Sequence, residues 1–188
     1  FDPNPVIYIE HRWLHNQIGN VDKGYYENKI GIPEIRRAGK DITIVSMSYM
    51  SLEAERAATF LQKQNISCEI IDLASINPLK WEIIYNSVRK TGRLIALDTG
   101  NETCSFSAEV ISRVTMNVFK DLKSSPIRIA CPDVPCPTSY SLTKDYYPDA
   151  KNVVSKISEI FKVSFDTSEL DNNLNHHDVP GDWFKGPF

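Results

Sequence analysis

Apolar residues along the chain fall into two alternating kinds of run. Short, nearly continuous, β-branched stretches, ITIVSMS (42–48), CEIIDL (68–73), RLIALD (93–98) and IRIACP (127–132), have the length and composition of buried strands. Longer stretches with helical period lie between and after them. In SLEAERAATFLQKQ (51–64), Ala54, Ala57, Ala58 and Leu61 share one face. WEIIYNSVRK (81–90) is entered through Asn77-Pro78 and stopped by Gly92 as a left-handed cap, and SAEVISRVTMNVFKDL (107–122) and AKNVVSKISEIFKV (150–163) complete the set. Strands alternating with helices at this spacing demand right-handed crossovers. The pattern therefore predicts an α/β fold: a three-layer, doubly wound, mainly parallel sheet with helices on both faces.

Three segments lie outside this rhythm. Val6 to Ile9, bounded by prolines and then by charge, predicts one more strand. From Gln17 to Lys40 the chain carries charge, glycines and Pro33 without a sustained period, which reads as a linker ending near Asp41. After Val163 a polar, Asn-rich stretch with Pro180-Gly181 reads as an extended tail. Its Trp183, Phe184 and Phe188 are costly to leave in water and predict contact with the domain or a partner. The expected organisation is a strand-bearing start (1–16), a linker (17–40), an α/β domain (41–163) and a tail (164–188).

Composition narrows the function. A chain of 188 residues supports one good core plus appendages. The net charge of -3, with both signs interspersed, provides no basic stripe for nucleic acid and no polybasic membrane patch. No apolar run approaches the roughly 20 residues of a membrane span, and no signal peptide precedes the first strand-like run. Cys68, Cys104, Cys131 and Cys136 form no CxxC pair, and reduced thiols inside a cell fit them best. The start at Phe1, a few residues before Val6, reads as a piece of something longer.

Candidate chemistry is sparse. The turn in KTGRLIALDTGNETCSFSAEV (90–110) has the strand-loop-helix grammar of a ligand site, but Gly100 stands alone where GxGxxG would be needed, and Phe106 would obstruct a phosphate. Asp72 and Asp98 end strands, yet the first core strand ends in Ser46-Met47-Ser48, without the acidic pair of a receiver domain. Such aspartates usually cap the next turn or helix. His11 and His15 have the spacing of two metal ligands on a helix but no third ligand nearby, and a polar strand end is the expectation. His176 and His177 lie in the tail. Cys131 and Cys136 bracket CPDVPC, with no base in sequence to activate either thiol. No catalytic, cofactor-binding or metal-ligating residue is assigned.

The segments in combination, PVIYIEHRWLHN, GKDITIVSMSYM, SCEIIDLASINPLKWEIIYNSVRKTGRLIALD and PDVPCPTSYSLTKDYYPDAKNVV, resemble the carboxyl-terminal part of the beta subunit of thiamine-diphosphate-dependent 2-oxo acid dehydrogenases, the decarboxylating components of the pyruvate and branched-chain complexes. The resemblance implies a transketolase-type carboxyl-terminal domain, preceded by the last strand of a pyrimidine-binding domain. It implies that thiamine diphosphate and magnesium belong to the parent enzyme, that this chain alone holds neither, and that the isolated chain is inactive. The implied role is assembly: a homodimer, with the alpha subunit and the lipoyl acyltransferase component as partners. Where relatives carry adjacent glycines before an Ala-Glu helix, this chain has Cys104 and Ser105. Ser105, Phe106 and Glu109 are the expected subunit-interface residues, and Asp121 an expected docking residue. The alternatives are a stand-alone interaction module derived from the domain and, behind it, a small nucleotide binder. The expected compartment is the cytoplasm, or the mitochondrial matrix in a eukaryote.

Overall fold

Alternation within each strand decides how the core is divided. The computed structural model describes residues 4–15, 17–143 and 145–171. Strands β1 (Glu34–Arg37), β2 (Ile42–Ser46), β3 (Cys68–Asp72), β4 (Leu94–Asn101) and β5 (Ile127–Cys131) form one sheet in the order β1-β3-β2-β4-β5. Pairing is parallel between β2 and β3, β2 and β4, and β4 and β5, and antiparallel only between β1 and β3. Ile42, Ile44, Cys68, Ile70, Ile95 and Leu97 point to one apolar layer, and Val45, Ile71, Leu94 and Ala96 to the other. Period-2 side chains buried on both faces need helices on both faces.

Helices α1 (Tyr49–Lys63) and α4 (Ala150–Phe161) cover the first layer, through Ala54, Ala57, Ala58 and Leu61 on one and Val153, Val154 and Ile157 on the other. Helices α2 (Trp81–Thr91) and α3 (Phe106–Val118) cover the second, through Ile84, Val88, Val110 and Val114. The three-layer, doubly wound expectation holds. Small alanines on α1 let that helix lie close against the sheet, since each keeps the helix axis within one methyl of the strands. Gly92 has φ 74° and donates its N–H to Val88 O at 2.7 Å, so the left-handed stop of α2 is present as read.

Buried polar groups stitch the layers. Thr43 on β2 meets Ser87 and Thr91 of α2 at 2.7 and 2.8 Å. Glu69 on β3, almost fully buried, accepts from Gly39 N at 3.2 Å and pairs with Lys90 of α2. On the other face Glu53 is 1 % exposed, and accepts from the Tyr49 hydroxyl at 2.5 Å, from Arg56 at 3.0 Å and from Ala150 N at 2.8 Å. Its charge is thereby compensated and every oxygen satisfied, the condition under which a buried carboxylate is tolerable.

Two local expectations are corrected. Val6 to Ile9 is not a strand: those residues are exposed and pair with nothing among the described residues. A β-branched run forms a strand only beside a partner edge, and Val6 to Ile9 pairs with neither β1 nor β5, the two edges of this sheet. The stretch 17–40 contains β1, which seals the sheet beside β3 with a bulge between Ile35 and Arg37. Charged Glu34, Arg36 and Arg37 hid it, and charge on an edge strand also blocks further pairing. The segment after Val163 is docked as far as Asp171: Phe165 meets Phe60 edge-on at 6.1 Å, and a 3-10 turn over Ser168–Leu170 buries Leu170 against α1. His176, His177, Pro180, Gly181, Trp183, Phe184 and Phe188 lie outside the described residues.

Candidate functional site

Chemistry in an open parallel sheet concentrates beyond the carboxyl ends of the strands. In the second half of β4, Asp98 is buried. Its Oδ1 accepts from Gly100 N at 2.9 Å and its Oδ2 from Ser107 N at 3.1 Å, so one carboxylate both closes the turn and caps α3. Asp133, after β5, accepts from Thr103 N at 2.9 Å and Thr103 Oγ1 at 2.6 Å. These bonds hold its carboxyl below the usual carboxylate range. Asn101 donates to Pro132 O at 2.6 Å. The β4–α3 turn is therefore tied to the loop after β5, and amides that a phosphate would need are engaged by the protein's own carboxylates.

Cys104 in this turn has φ 62°, a left-handed conformation that glycine adopts freely and other residues adopt at a cost. Its thiol is exposed. The neighbouring Ser105 bonds Ser107 Oγ at 2.6 Å and Glu102 O at 3.2 Å.

Of the expected interface residues, Ser105, Phe106 and Glu109 come together at the start of α3. Phe106 is half-buried, 6.0 Å from the Trp81 ring, and Glu109 is exposed and paired with Arg113, whose guanidinium lies over Trp81 at 4.7 Å. Asp121 does not join them. It sits in the 3-10 turn Phe119–Asp121 beyond the far end of α3, about 20 Å away at 1.5 Å per helical residue. Between the two groups, Met116 and Phe119 stand 81 % and 68 % exposed. The sequence reading missed both, because a helix pattern marks the core-facing side and is silent about which outward apolar residues belong together.

A second assembly lies over the carboxyl ends of β2, β4 and β5. Ser48, at φ 55° and ψ -132°, turns the chain from strand to helix and sets Tyr49 at the sheet edge. Tyr49 stacks on His11 at 5.4 Å and meets Trp13 edge-on at 4.9 Å, and Trp13 meets Tyr147 at 5.5 Å. These rings, with Thr99 and Cys131, line a cavity of about 400 Å³. His11 and His15 are not a metal pair. His11 caps a 3-10 turn over Arg12–Leu14 by accepting from Trp13 N at 3.3 Å, whereas His15 faces Glu10 at 3.1 Å. Among the described residues no group of three or more His, Cys, Asp or Glu converges to hold a metal ion.

Burial pushes the Cys68 thiol up to about 12, and raises Cys131 as well. Cys136 Sγ lies 3.1 Å from Tyr147 Oη.

This is a doubly wound α/β domain with one antiparallel edge strand, tied turns at the carboxyl edge and two exposed apolar side chains, Met116 and Phe119, toward the end of α3. A family model of the transketolase C-terminal domain matches residues 31–153, and the chain belongs to that family. It is 33% identical over 161 residues to the acetoin:2,6-dichlorophenolindophenol oxidoreductase subunit beta of Cupriavidus necator, covering 86% of this chain and 48% of that protein. It is 37% identical over 160 residues to the pyruvate dehydrogenase E1 component subunit beta of Rhizobium meliloti (85% and 35%), and 33% identical over 154 residues to a mitochondrial 2-oxoisovalerate dehydrogenase subunit beta 2 of Arabidopsis thaliana (81% and 42%). The chain thus spans half or less of the length of these relatives. A solved split-gene transketolase, described as an inactive beta4 tetramer, superposes with a TM-score of 0.60 at 23% identity over 74% of this chain and 45% of that one, a likeness of fold. Relatives include bacterial and mitochondrial proteins, and no helix among the described residues is long and apolar enough to cross a membrane.

Proposed function

We propose that this chain is the non-catalytic assembly domain of the beta subunit of a thiamine-diphosphate-dependent 2-oxo acid dehydrogenase, an enzyme that decarboxylates a 2-oxo acid oxidatively and passes the acyl group to lipoyl groups. The observation that carries the reading is the family match over 31–153 together with beta-subunit relatives over more than four-fifths of the chain. The chemistry of the residues supports it. The carboxyl-edge turn, where a phosphate would bind in related folds, has its amides on Gly100, Thr103 and Ser107 engaged by Asp98 and Asp133.

In this reading α3 supplies the two-fold contact. Ser105, Phe106 and Glu109 lie at one end, and Met116 and Phe119 add the apolar centre that an isologous interface needs. Asp121, remote from that end, is left for a docking contact with the acyltransferase component, and the alpha subunit is the other partner. Light scattering on the isolated chain should give the dimer mass. Calorimetry with thiamine diphosphate and magnesium should give no heat of binding; tight magnesium-dependent binding sinks the reading. A stand-alone interaction module is favoured by Cys104 occupying a left-handed position in place of glycine. A chain that dimerises yet binds neither an alpha subunit nor an acyltransferase fits that alternative.

A further inference from the structure

The cavity over the carboxyl edge is independent of the assembly surface. The chain leaves β2 toward β3 on one side of the sheet and returns to β4 on the other, so the point where the strand order reverses lies between β2 and β4. Crevices at that point are where open α/β sheets bind ligands. Here it is lined by Tyr49, one turn past β2, and by Thr99 of β4, with Cys131 of β5 alongside. Its volume, about 400 Å³, is within the range of small-molecule pockets and suits a fused two-ring compound.

The polar groups of the lining narrow the chemistry. The Tyr49 hydroxyl is spent on Glu53, and the Tyr147 hydroxyl sits against Cys136 Sγ. Both rings are thereby held while their hydroxyls are occupied. The His11 Nδ1 accepts from Trp13 N, which leaves the proton of a neutral imidazole on Nε2, and Nε2 has no partner among the described residues. Burial lowers the pKa of His11, so the ring is neutral at physiological pH. The exposed Glu10 and Arg12 also line it, opposite in charge, with Glu10 facing His15 at 3.1 Å. The pocket therefore offers aromatic faces and edges, the His11 N–H donor and no net charge.

We propose that this cavity is a binding site for a planar, uncharged heteroaromatic small molecule, packed against Trp13, Tyr49 and Tyr147 and accepting a hydrogen bond from His11 Nε2. The test uses the full chain labelled with nitrogen-15, titrated at neutral pH with quinoline, which carries one ring acceptor, and with naphthalene, which has the same shape and none. Quinoline should shift the Trp13, Tyr49 and Thr99 resonances saturably and bind about fivefold tighter than naphthalene, the value of one net hydrogen bond. His11→Phe keeps a ring in place and should erase that preference. Thr99→Trp, at an exposed rim position, should block both compounds without changing the melting temperature. The proposal is overturned if neither compound gives saturable shifts at these residues, if the two bind equally to the unmodified chain, or if Thr99→Trp binds as before.

Discussion

The carboxylate of Glu53 accepts a hydrogen bond from the backbone amide of Ala150 at 2.8 Å, joining residues 97 positions apart. The amide is the first of α4, so a side chain on one helix satisfies an orphan donor at the start of another. Tyr49 and Arg56 use the remaining acceptor capacity, and the Tyr49 ring carries His11 and Trp13. Glu53→Ala removes the acceptor of the buried Ala150 amide and Tyr49 hydroxyl and should cost about 3 kcal/mol in denaturant unfolding. Glu53→Gln, which still accepts from Ala150, should cost less than half of that.

Asp98 should matter through the backbone alone. Asp98→Ala frees the amides of Gly100 and Ser107 and should destabilise by about 1–2 kcal/mol. Faster hydrogen exchange confined to the β4–α3 turn and the first turn of α3 is the expected signature. Exchange spread evenly over the sheet would contradict it.

Two carboxylates on β3, Glu69 buried and Asp72 partly so, should give opposite pH signatures. For Glu69 burial raises the pKa, but the bonds from Lys90, Ser87 and Gly39 outweigh it and hold the group below its ordinary value. Its contribution is present above the unfolded pKa and is lost as pH falls through the folded one, so Glu69→Gln should flatten the acid limb of the stability curve. Asp72 is raised, chiefly by burial, against the pull of Ser51 and Arg36. It favours the fold in the protonated form, and that advantage disappears as pH rises through its folded pKa. Asp72→Asn should therefore leave the stability at neutral pH unchanged or raise it by up to about 1 kcal/mol. Chemical denaturation from pH 3 to 7, taken as a working range of roughly the carboxylate region, separates the two.

The outer face of α3 should carry self-association. Phe119→Ser or Met116→Lys alters a side chain that is mostly in solvent, so melting should move little while the dimer dissociates at least tenfold more readily, the effect expected of removing an interface anchor. On the proposed assembly role, Asp121→Ala should leave self-association intact and weaken capture of the acyltransferase component.

Thiol titration should divide the cysteines in two. Cys104 and Cys136 are exposed, whereas Cys68 and Cys131 are buried and have raised pKa values. An aromatic disulfide reagent should consume two thiols rapidly in the native chain and the other two only on unfolding.

Most of the architecture was legible because the signal was dense. Four apolar runs announced β2 to β5, and Gly92 marked the end of α2, since both depend on local sequence alone. β1 was not legible. Glu34, Arg36 and Arg37 carry no alternation, and the strand exists because β3 offers an edge to pair with. The opposite error fell on Val6 to Ile9, where propensity was strong and no strand pairs with the run. At the site, the capping role of Asp98 followed from its place at a strand end. The cavity had no such marker: His11, Trp13, Tyr49 and Tyr147 are spread over 136 positions from His11 to Tyr147, and only the folded sheet collects them.

Strand β3 has apolar or pairing side chains committed in both directions, with Cys68 and Ile70 toward α1 and α4 and Glu69 and Ile71 toward α2 and α3. Adding one amino acid there would exchange the two sets, carrying Glu69 away from Lys90 into the opposite oily layer. Length changes in this strand are thus the lesions the domain is least able to absorb, and natural variation in it should proceed by replacement alone.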